Sequence, residues 1–171
     1  MRTINLFVVH CSATREDCTI SPEAVAVMHR RRGFNGTGYH YYIRKDGTLY
    51  LTRSLERIGA HAKGFNAHSI GICYEGGLDC RGHPADTRTP AQRATLRQLV
   101  GQLQEKFSGC RVCGHRDLSP DLNGNGEIEP EEWIKQCPCF DASREFGESA
   151  TEAVSTKEHR VTQLFKDTER R

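Results

Sequence analysis

Three short apolar runs, each separated from the next by helical patterns, most constrain the fold of this chain. They occupy residues 4–9, 69–74 and 110–113. Runs of this length between turn and helix signals are typical of buried strands. Strands that alternate with helices along a chain assemble into a sheet that helices cover on both faces. The pattern therefore predicts an α/β protein with a mixed central β-sheet flanked by helices.

Two segments carry the signals of amphipathic helices. Residues 21–32 begin with Ser21 as the N-cap, followed by a proline in the first turn. Residues 89–107 begin with a capping box formed by Thr89 and Gln92, and their apolar residues share one face. We expect that face of the second helix to pack on the sheet.

A hairpin is predicted between the first helix and the second apolar run. Residues 41–44 and 48–51 are extended segments, and Asp46 and Gly47 lie between them. An Asp-Gly pair in that position is a strong signal for a tight hairpin turn.

Length and composition indicate one domain. The chain has 171 residues, and its apolar residues support a core made from residues 1–141. From residue 142 to residue 171 the sequence is polar and charged, with a short apolar stripe of Val161, Leu164 and Phe165. We predict a flexible or loosely docked tail there.

Three motifs each contribute one soft metal ligand. His10 ends the first apolar run, His115 lies in the string CGHRD, and Cys137 lies in WIKQCPCF. Catalytic zinc keeps three protein ligands and leaves one position for water, whereas structural zinc is closed by four. If His10, His115 and Cys137 converge, they make an open zinc site in a groove at the sheet edge, which favours hydrolysis.

A structural site made of cysteines is the alternative. Cys110 and Cys113 form one pair, and Cys137 and Cys139 form another. Residues three apart on a strand point to opposite faces, which disfavours a shared ion for the first pair. We therefore rank a closed cysteine-rich site second, and we expect reduced thiols in a chain without a secretory signal.

Several motifs together resemble the zinc-dependent N-acetylmuramoyl-L-alanine amidases of the bacteriophage-lysozyme and peptidoglycan-recognition-protein type. The likeness extends over residues 4–141. It rests on the strings HCSAT (10–14), GYHYYIRKDGTL (38–49), GAHAKGFNAHSIGICYEGG (59–77), TPAQ (89–92), GHRD (114–117) and CPCFD (137–141).

This resemblance implies a zinc ion held by His10, His115 and Cys137, with Tyr39 and Lys135 beside the attacking water and the scissile amide. Relatives that cleave cell-wall amides keep the cysteine, and relatives that only bind peptidoglycan commonly lose it. Cys137 therefore favours an enzyme that cleaves the amide between N-acetylmuramic acid and L-alanine in peptidoglycan.

The same resemblance places His61 by the cleft as a candidate substrate-binding residue. It leaves the general base open, because some relatives carry a glutamate where this chain has Cys73. The nearest carboxylate is Glu75, which alternation puts on the same side of an extended strand as Cys73.

A second metal signal lies between His115 and Cys137. Residues 121–132 fit the calcium loop of an EF-hand, with a glycine at position 6. The candidate oxygen ligands are Asp121, Asn123, Asn125, Glu127 and Glu132. Calcium there would order the segment and a predicted helix at residues 129–136, which delivers Lys135 and Cys137.

Charge and hydropathy argue against two classes of binding partner, nucleic acids and membranes. The net charge is +2, with acidic and basic residues interspersed, so nucleic acid is not an expected partner. No run reaches the roughly 20 apolar residues of a membrane span, and no N-terminal signal peptide is visible. We expect a monomer that is cytoplasmic as synthesised and acts on the cell wall after release or export by another route. A non-catalytic muropeptide-binding module and a partner-binding inhibitor remain open alternatives.

Overall fold

The computed structural model describes residues 2–147. Ten strands and helices follow one another along these residues. In order they are β1 (Leu6–Cys11), β2 (Thr14–Arg15), α1 (Pro22–Arg31), β3 (Tyr41–Ile43), β4 (Leu49–Leu51), β5 (Ser69–Tyr74), β6 (Gly77–Leu78), α2 (Pro90–Lys106), β7 (Arg111–Gly114) and α3 (Ala142–Phe146).

The central sheet has five strands in the order β4-β3-β5-β1-β7. β1 pairs in parallel with β5 and β7, β3 pairs in parallel with β5, and β3 and β4 form the predicted antiparallel hairpin. A separate two-stranded parallel sheet joins β2 to β6. The mixed α/β architecture expected from the sequence is confirmed.

Alternation along β1 separates the two faces of the sheet. Phe7 and Val9 join the main core, which includes Leu96 and Leu99 from the apolar face of α2. Leu6 and Val8 point to the opposite face, where they form a smaller cluster. His10 follows the same alternation, so its side chain lies on the face opposite α2.

Both long helices begin where the sequence predicts. Ser21 Oγ accepts a hydrogen bond from the N–H of Ala24 at the start of α1. The Thr89 and Gln92 capping box is formed at the start of α2. Neither of these helices, nor any other among residues 2–147, is long and apolar enough to cross a bilayer.

The predicted helix at residues 129–136 is wrong. Only a single 3₁₀ turn forms there, at Pro130–Glu132, and Trp133 is already extended. Ile134 N–H bonds to Ser119 Oγ instead of to a helical carbonyl, and the Arg116 guanidinium stacks 4.0 Å from the centre of the Trp133 ring. These contacts outside the segment replace the helical hydrogen bonds.

The packed domain extends beyond residue 141, where the sequence predicted that a tail begins. α3 (Ala142–Phe146) is capped by Asp141, and both Ala142 and Phe146 are buried in the main core. The predicted tail therefore does not include these first residues. The apolar stripe of Val161, Leu164 and Phe165 lies outside the described residues.

Candidate metal centre

The carboxyl ends of two neighbouring parallel strands supply the histidines of the site. His10 is the fifth residue of β1 and is 1% exposed. His115 follows β7 directly, and its N–H donates to the Val9 carbonyl at 3.1 Å, which fixes its place beside β1. Ligand sites in α/β sheets form at this end of the strands. β1 is an interior strand and β7 an edge strand, so the site lies next to the sheet edge.

Cys137 reaches the same place from the irregular segment before α3. Its Sγ accepts a hydrogen bond from the Cys11 N–H at 3.2 Å, and its carbonyl accepts one from the Arg116 N–H at 2.8 Å. The first bond fixes the sulfur against the end of β1, and the second fixes the backbone against the residue after His115.

The three predicted ligands converge. His10, His115 and Cys137 each offer one ligand atom, and these atoms lie within 4.8 Å of one another. Cys137 Sγ is 3.8 Å from His10 Nδ1. Nitrogen and sulfur ligands of one tetrahedral zinc ion are about 3.5 Å apart. The arrangement is therefore close to that of a zinc site.

The second nitrogen of His10 contacts another histidine. His10 Nε2 is 3.0 Å from His61 Nδ1, and His61 Nε2 is 3.4 Å from Ser69 Oγ. His61 is buried. The histidine that the resemblance placed by the cleft thus lies directly behind a candidate metal ligand, where a partner fixes ring orientation and tautomer.

Burial keeps these imidazoles neutral. It holds the pKa of His10 well below its usual value, and the neighbouring His61 and His115 lower that pKa further. Burial, followed by the charge of Lys135, lowers the pKa of His115 to about 4. Burial lowers the pKa of His61 to about 3. Neutral imidazole is the form that binds a metal ion, so His10 and His115 are ready to do so at neutral pH.

Tyr39 lies beside His10, with 5.1 Å between the ring centres. Tyr39 precedes β3, which begins at Tyr41, and its side chain packs on the cluster that contains Tyr42. Burial, followed by the nearby Cys73, raises the pKa of Tyr39 well above its ordinary value. The phenol therefore keeps its proton and acts as a donor at neutral pH.

His29 supports Tyr39 from α1, a role that the sequence did not suggest. Its Nδ1 accepts a hydrogen bond from the Gly38 N–H at 2.9 Å, and its ring centre is 5.2 Å from that of Tyr39. His29 lies one helical turn after Val25, and both residues are buried. That helical spacing was the available signal that His29 faces the protein.

Lys135 lines a small cleft together with His115 and the apolar side chains of Phe65, Leu118 and Ile134. Lys135 is exposed, and its positive charge lowers the pKa of both His10 and His115. The ammonium group is thus near the candidate metal centre and open to solvent.

Glu75 is directed away from the centre. Its carboxylate accepts hydrogen bonds from the N–H groups of Ile20 at 2.6 Å and Lys45 at 3.0 Å, and Arg44 Nε is 3.5 Å away. The side chain is fully buried. Glu75 therefore organises two loops, and its oxygens are committed to that role.

The cysteines do not support a closed four-thiol site. All eight lie among the described residues, and each is a free thiol. Cys110 belongs to the main core and Cys113 to the cluster on the opposite face, as the strand alternation predicted. Cys11 Sγ is 4.0 Å from Cys139 Sγ. Within residues 2–147, the group that could hold a metal contains one cysteine and two histidines.

The start of the predicted calcium loop is folded by its own side chains. Asp121 accepts hydrogen bonds from the N–H groups of Gly124 at 2.6 Å and Gly126 at 2.8 Å. The side-chain oxygens of Asn123 and Asn125 each accept the N–H two residues further on, at 2.9 and 2.8 Å. These turns point the side-chain oxygens toward the loop backbone.

Glu132 closes the same loop. One of its oxygens accepts the N–H groups of Leu122 at 2.7 Å and Asn123 at 3.1 Å, and the other accepts that of Glu129 at 3.0 Å. Glu132 is 8% exposed, whereas Glu127 is exposed. Backbone amides therefore satisfy the carboxylate that the calcium-loop pattern assigns to the ion.

Two glycines make room for His61. A Cβ atom on Gly71 would lie 2.5 Å from His61 Cδ2, and one on Gly59 would lie 2.5 Å from the same atom. Both distances are too short for any larger residue. The motifs that contain these glycines were recognised in the sequence. The requirement for glycine at both positions, however, follows only from where the His61 ring packs.

A mixed α/β domain with one buried and one half-buried histidine at the ends of parallel strands, and a half-buried cysteine beside them, defines a candidate single-metal centre next to an open cleft. The chain belongs to the N-acetylmuramoyl-L-alanine amidase family, because the model of that family matches residues 1–139. Membership confirms the resemblance inferred from the motifs.

Individual relatives agree with this assignment. The endolysin of Klebsiella phage KP32 is 35% identical over 136 residues, which are 80% of this chain and 81% of that protein. The solved structure of the N-acetylmuramoyl-L-alanine amidase LysC from Clostridium intestinale is 29% identical, has a TM-score of 0.64, and covers 84% of this chain and 82% of its own. Drosophila PGRP-LB, at 21% identity, a TM-score of 0.61 and coverage of 93% and 88%, shares the fold.

Proposed function

We propose that this protein is a zinc-dependent N-acetylmuramoyl-L-alanine amidase that cleaves the amide between N-acetylmuramic acid and L-alanine in the peptidoglycan of the cell wall. The family and its endolysin members support this activity. The observation that carries the proposal is the convergence of His10, His115 and Cys137 within 4.8 Å.

The donor set fits zinc. Two neutral imidazoles and one thiolate are ligands that zinc prefers, and three protein ligands leave one position open. The Cys11 N–H directed at Cys137 Sγ stabilises a thiolate there. When bound, zinc supplies Lewis acidity, which polarises the amide carbonyl and makes water a nucleophile at neutral pH.

Lys135 and Tyr39 are the candidate catalytic residues. Lys135 lines the cleft beside His115, so a substrate carbonyl in that cleft would meet an ammonium group. Negative charge develops on that carbonyl oxygen during hydrolysis, and a positioned donor stabilises it. Tyr39, protonated beside His10, is a second donor for the substrate or the attacking water. We expect Lys135→Ala and Tyr39→Phe each to reduce kcat about a hundredfold to a thousandfold.

Digestion of purified peptidoglycan tests the activity. Mass spectrometry should detect stem peptides with a free L-alanine amine, a chelator should abolish their release, and zinc should restore it. Intact sugar-peptide linkages would refute the proposal. Binding of muropeptides without any release would instead identify a non-catalytic recognition module.

Matched substitutions test the ligands. Cys137→Ser changes one atom, and we expect it to lower the zinc content and abolish release. Cys80→Ser makes the same change at an exposed thiol, and we expect wild-type zinc content and activity. His10→Ala should behave like Cys137→Ser, whereas a cysteine-only zinc site would keep its metal in that variant.

Calcium binding by residues 121–132 stays a prediction. The hydrogen bonds of Asp121, Asn123 and Asn125 gather side-chain oxygens in the loop, but Glu132 is already engaged by backbone amides. Bound calcium would raise the Tm, and the increase would grow with the logarithm of the calcium concentration above Kd. A Tm that is the same with and without millimolar Ca²⁺, in zinc-loaded protein, would contradict the prediction.

A further inference from the structure

Two thiols that the proposed chemistry does not use lie next to the candidate metal centre. Cys11 Sγ is 4.0 Å from Cys139 Sγ, although the two residues are 128 positions apart in the sequence. Cys11 is the last residue of β1 and directly follows His10. Cys139 lies two residues after Cys137. The contact therefore connects the strand that carries one candidate metal ligand to the segment that carries another.

The backbone around this pair is shaped to hold a sulfur at residue 139. The φ angle of Cys139 is 68°, in the left-handed region that glycine adopts at lower cost than any residue with a Cβ atom. The chain nevertheless has a thiol there, and it donates to the Gly77 carbonyl at 3.3 Å. Gly77 also leaves space for the partner thiol, because a Cβ atom at that position would collide with Cys11 Sγ.

A small movement would join the two sulfurs. An S–S bond is about 2.05 Å long, so each sulfur has to move by roughly 1 Å. Cys11 is 7% exposed, whereas Cys139 is half-buried, so an oxidant reaches the pair through Cys139. Contact with Cys11, followed by burial, raises the pKa of the Cys139 thiol well above its ordinary value. Because the thiolate is the reacting form, oxidation is slow, which suits a lasting bond better than a rapid switch.

The metal ligand Cys137 is the competing partner for either thiol. Its Sγ already accepts the Cys11 N–H at 3.2 Å, so it lies close to the pair. Zinc binds cysteine as the thiolate and occupies the lone pair that would attack a disulfide. In zinc-loaded protein, Cys11 and Cys139 therefore remain as the thiols that can react with each other.

We propose that Cys11 and Cys139 are an oxidative modification site, at which a disulfide fixes the Cys137 segment to the end of β1. A disulfide oxidant of the glutathione class supplies the reaction. Its S–S bond breaks, the bond between the two protein sulfurs forms, and the two protons and two electrons of the protein thiols leave on two glutathione molecules.

The setting for this reaction rests on the proposed function. Peptidoglycan lies outside the cytosol, whose glutathione pool keeps thiols reduced, and disulfides persist in oxidising compartments. The reduced thiols that the sequence predicts then describe the protein before it reaches the wall. The pairing of the two sulfurs itself does not depend on the amidase activity.

Equilibration of the zinc-loaded full chain with oxidised glutathione tests the site. Peptide mapping by mass spectrometry without reductant should identify a disulfide between Cys11 and Cys139, and the zinc content should stay that of the reduced protein. We expect the oxidised protein to melt about 5–15 °C above the reduced one, because a bond that closes so long a loop restricts the unfolded chain. The oxidised protein should also release zinc to a chelator more slowly.

Two variants and one control make the test specific. Cys139→Ser should abolish both the mapped disulfide and the difference in Tm between oxidised and reduced protein. Cys139→Gly should do the same, and it suits the left-handed backbone, so it provides a second folded variant without the thiol. Cys80→Ser removes an exposed thiol and should keep the disulfide and the Tm difference.

Three outcomes would overturn the proposal. They are the absence of a Cys11–Cys139 disulfide, a disulfide between Cys139 and Cys137 with release of zinc, and an oxidised protein no more stable than the reduced one. None of these measurements requires hydrolysis. Failure of the proposed amidase activity would be seen separately, as absence of peptide release from intact peptidoglycan.

Discussion

His61 Nδ1 lies 3.0 Å from His10 Nε2, and Cys137 Sγ lies 3.8 Å from the other ring nitrogen of the same histidine. A His10 that binds a metal through Nδ1 carries its proton on Nε2 and donates it to His61. His61 then turns its own N–H toward Ser69 Oγ. One buried chain of contacts thus fixes both the ring orientation and the tautomer of a candidate ligand.

His61→Ala should weaken zinc binding about tenfold to a hundredfold, because loss of a partner behind a metal ligand typically has an effect of that size. Competition with a chelator measures it. His83→Ala, at an exposed histidine, is the control. If His61 instead acts by binding substrate, its loss will raise KM and leave the zinc affinity unchanged.

Gly71→Ala should destabilise the protein by about 1–3 kcal/mol and weaken zinc binding, because the added Cβ would lie 2.5 Å from the His61 ring. Chemical denaturation gives the free energy of unfolding. Gly101→Ala places the same methyl group in open space within α2, where we expect a gain of about 0.5–1 kcal/mol. Equal effects of the two substitutions would contradict the steric explanation.

Acidification should destabilise the metal-free protein through His40. Burial lowers the pKa of His40 to about 4, although its hydrogen bond to the Arg57 carbonyl acts in the opposite direction. Histidine in the unfolded chain has a pKa near 6.5, so between pH 6.5 and 4 the unfolded state binds more protons. The free energy of unfolding should therefore decrease as the pH is lowered from 6.5 to 4. The contribution of His40 to this decrease should be up to about 3 kcal/mol.

Urea denaturation at several pH values checks this effect. His40→Gln should be less stable at pH 7.5 but should lose less stability than the wild type on going to pH 4. His83→Gln should keep the same pH dependence of the free energy of unfolding as the wild type. An unchanged pH dependence in His40→Gln would show that other groups account for the loss.

Arg88→Met should destabilise the protein by about 1.5–3 kcal/mol, because it removes a buried guanidinium that donates charged hydrogen bonds to the partly exposed carboxylates of Asp86 and Glu145. The Arg88 side chain is 1% exposed, pairs with Asp86 at 2.8 Å and Glu145 at 2.9 Å, and lies 3.1 Å from the centre of the Phe140 ring. Arg93→Met removes a 43% exposed partner of Asp86, so the expected loss is below about 1 kcal/mol. Thermal and urea unfolding compare the two variants.

Local sequence patterns predicted the secondary structure well where residues close in sequence satisfy the backbone hydrogen bonds. The capping box at Thr89, the Asp46-Gly47 hairpin turn and the strand at Ser69–Tyr74 all lie where the sequence places them. The prediction of a helix at residues 129–136 was wrong because the 3₁₀ turn ends at Glu132. The N–H of Ile134 then donates to Ser119 Oγ, 15 residues away. No local signal reports a contact of that kind.

The sequence by itself determined which residues are candidates for the site. It placed His10, His115 and Cys137 in recognisable motifs, and strand alternation correctly separated Cys110 from Cys113. Such features depend on neighbours along the chain, whose geometry the backbone periodicity fixes. They required no knowledge of which segments meet.

Only the tertiary structure decided which nitrogen of His10 faces Cys137, that His61 stands behind His10, and that Glu75 turns away from both. These side chains are brought together by segments separated by tens of residues. The orientation of a buried ring depends on packing and on hydrogen-bond partners from all of those segments at once. Residue spacing along the chain does not predict such contacts, so only the folded domain reveals them.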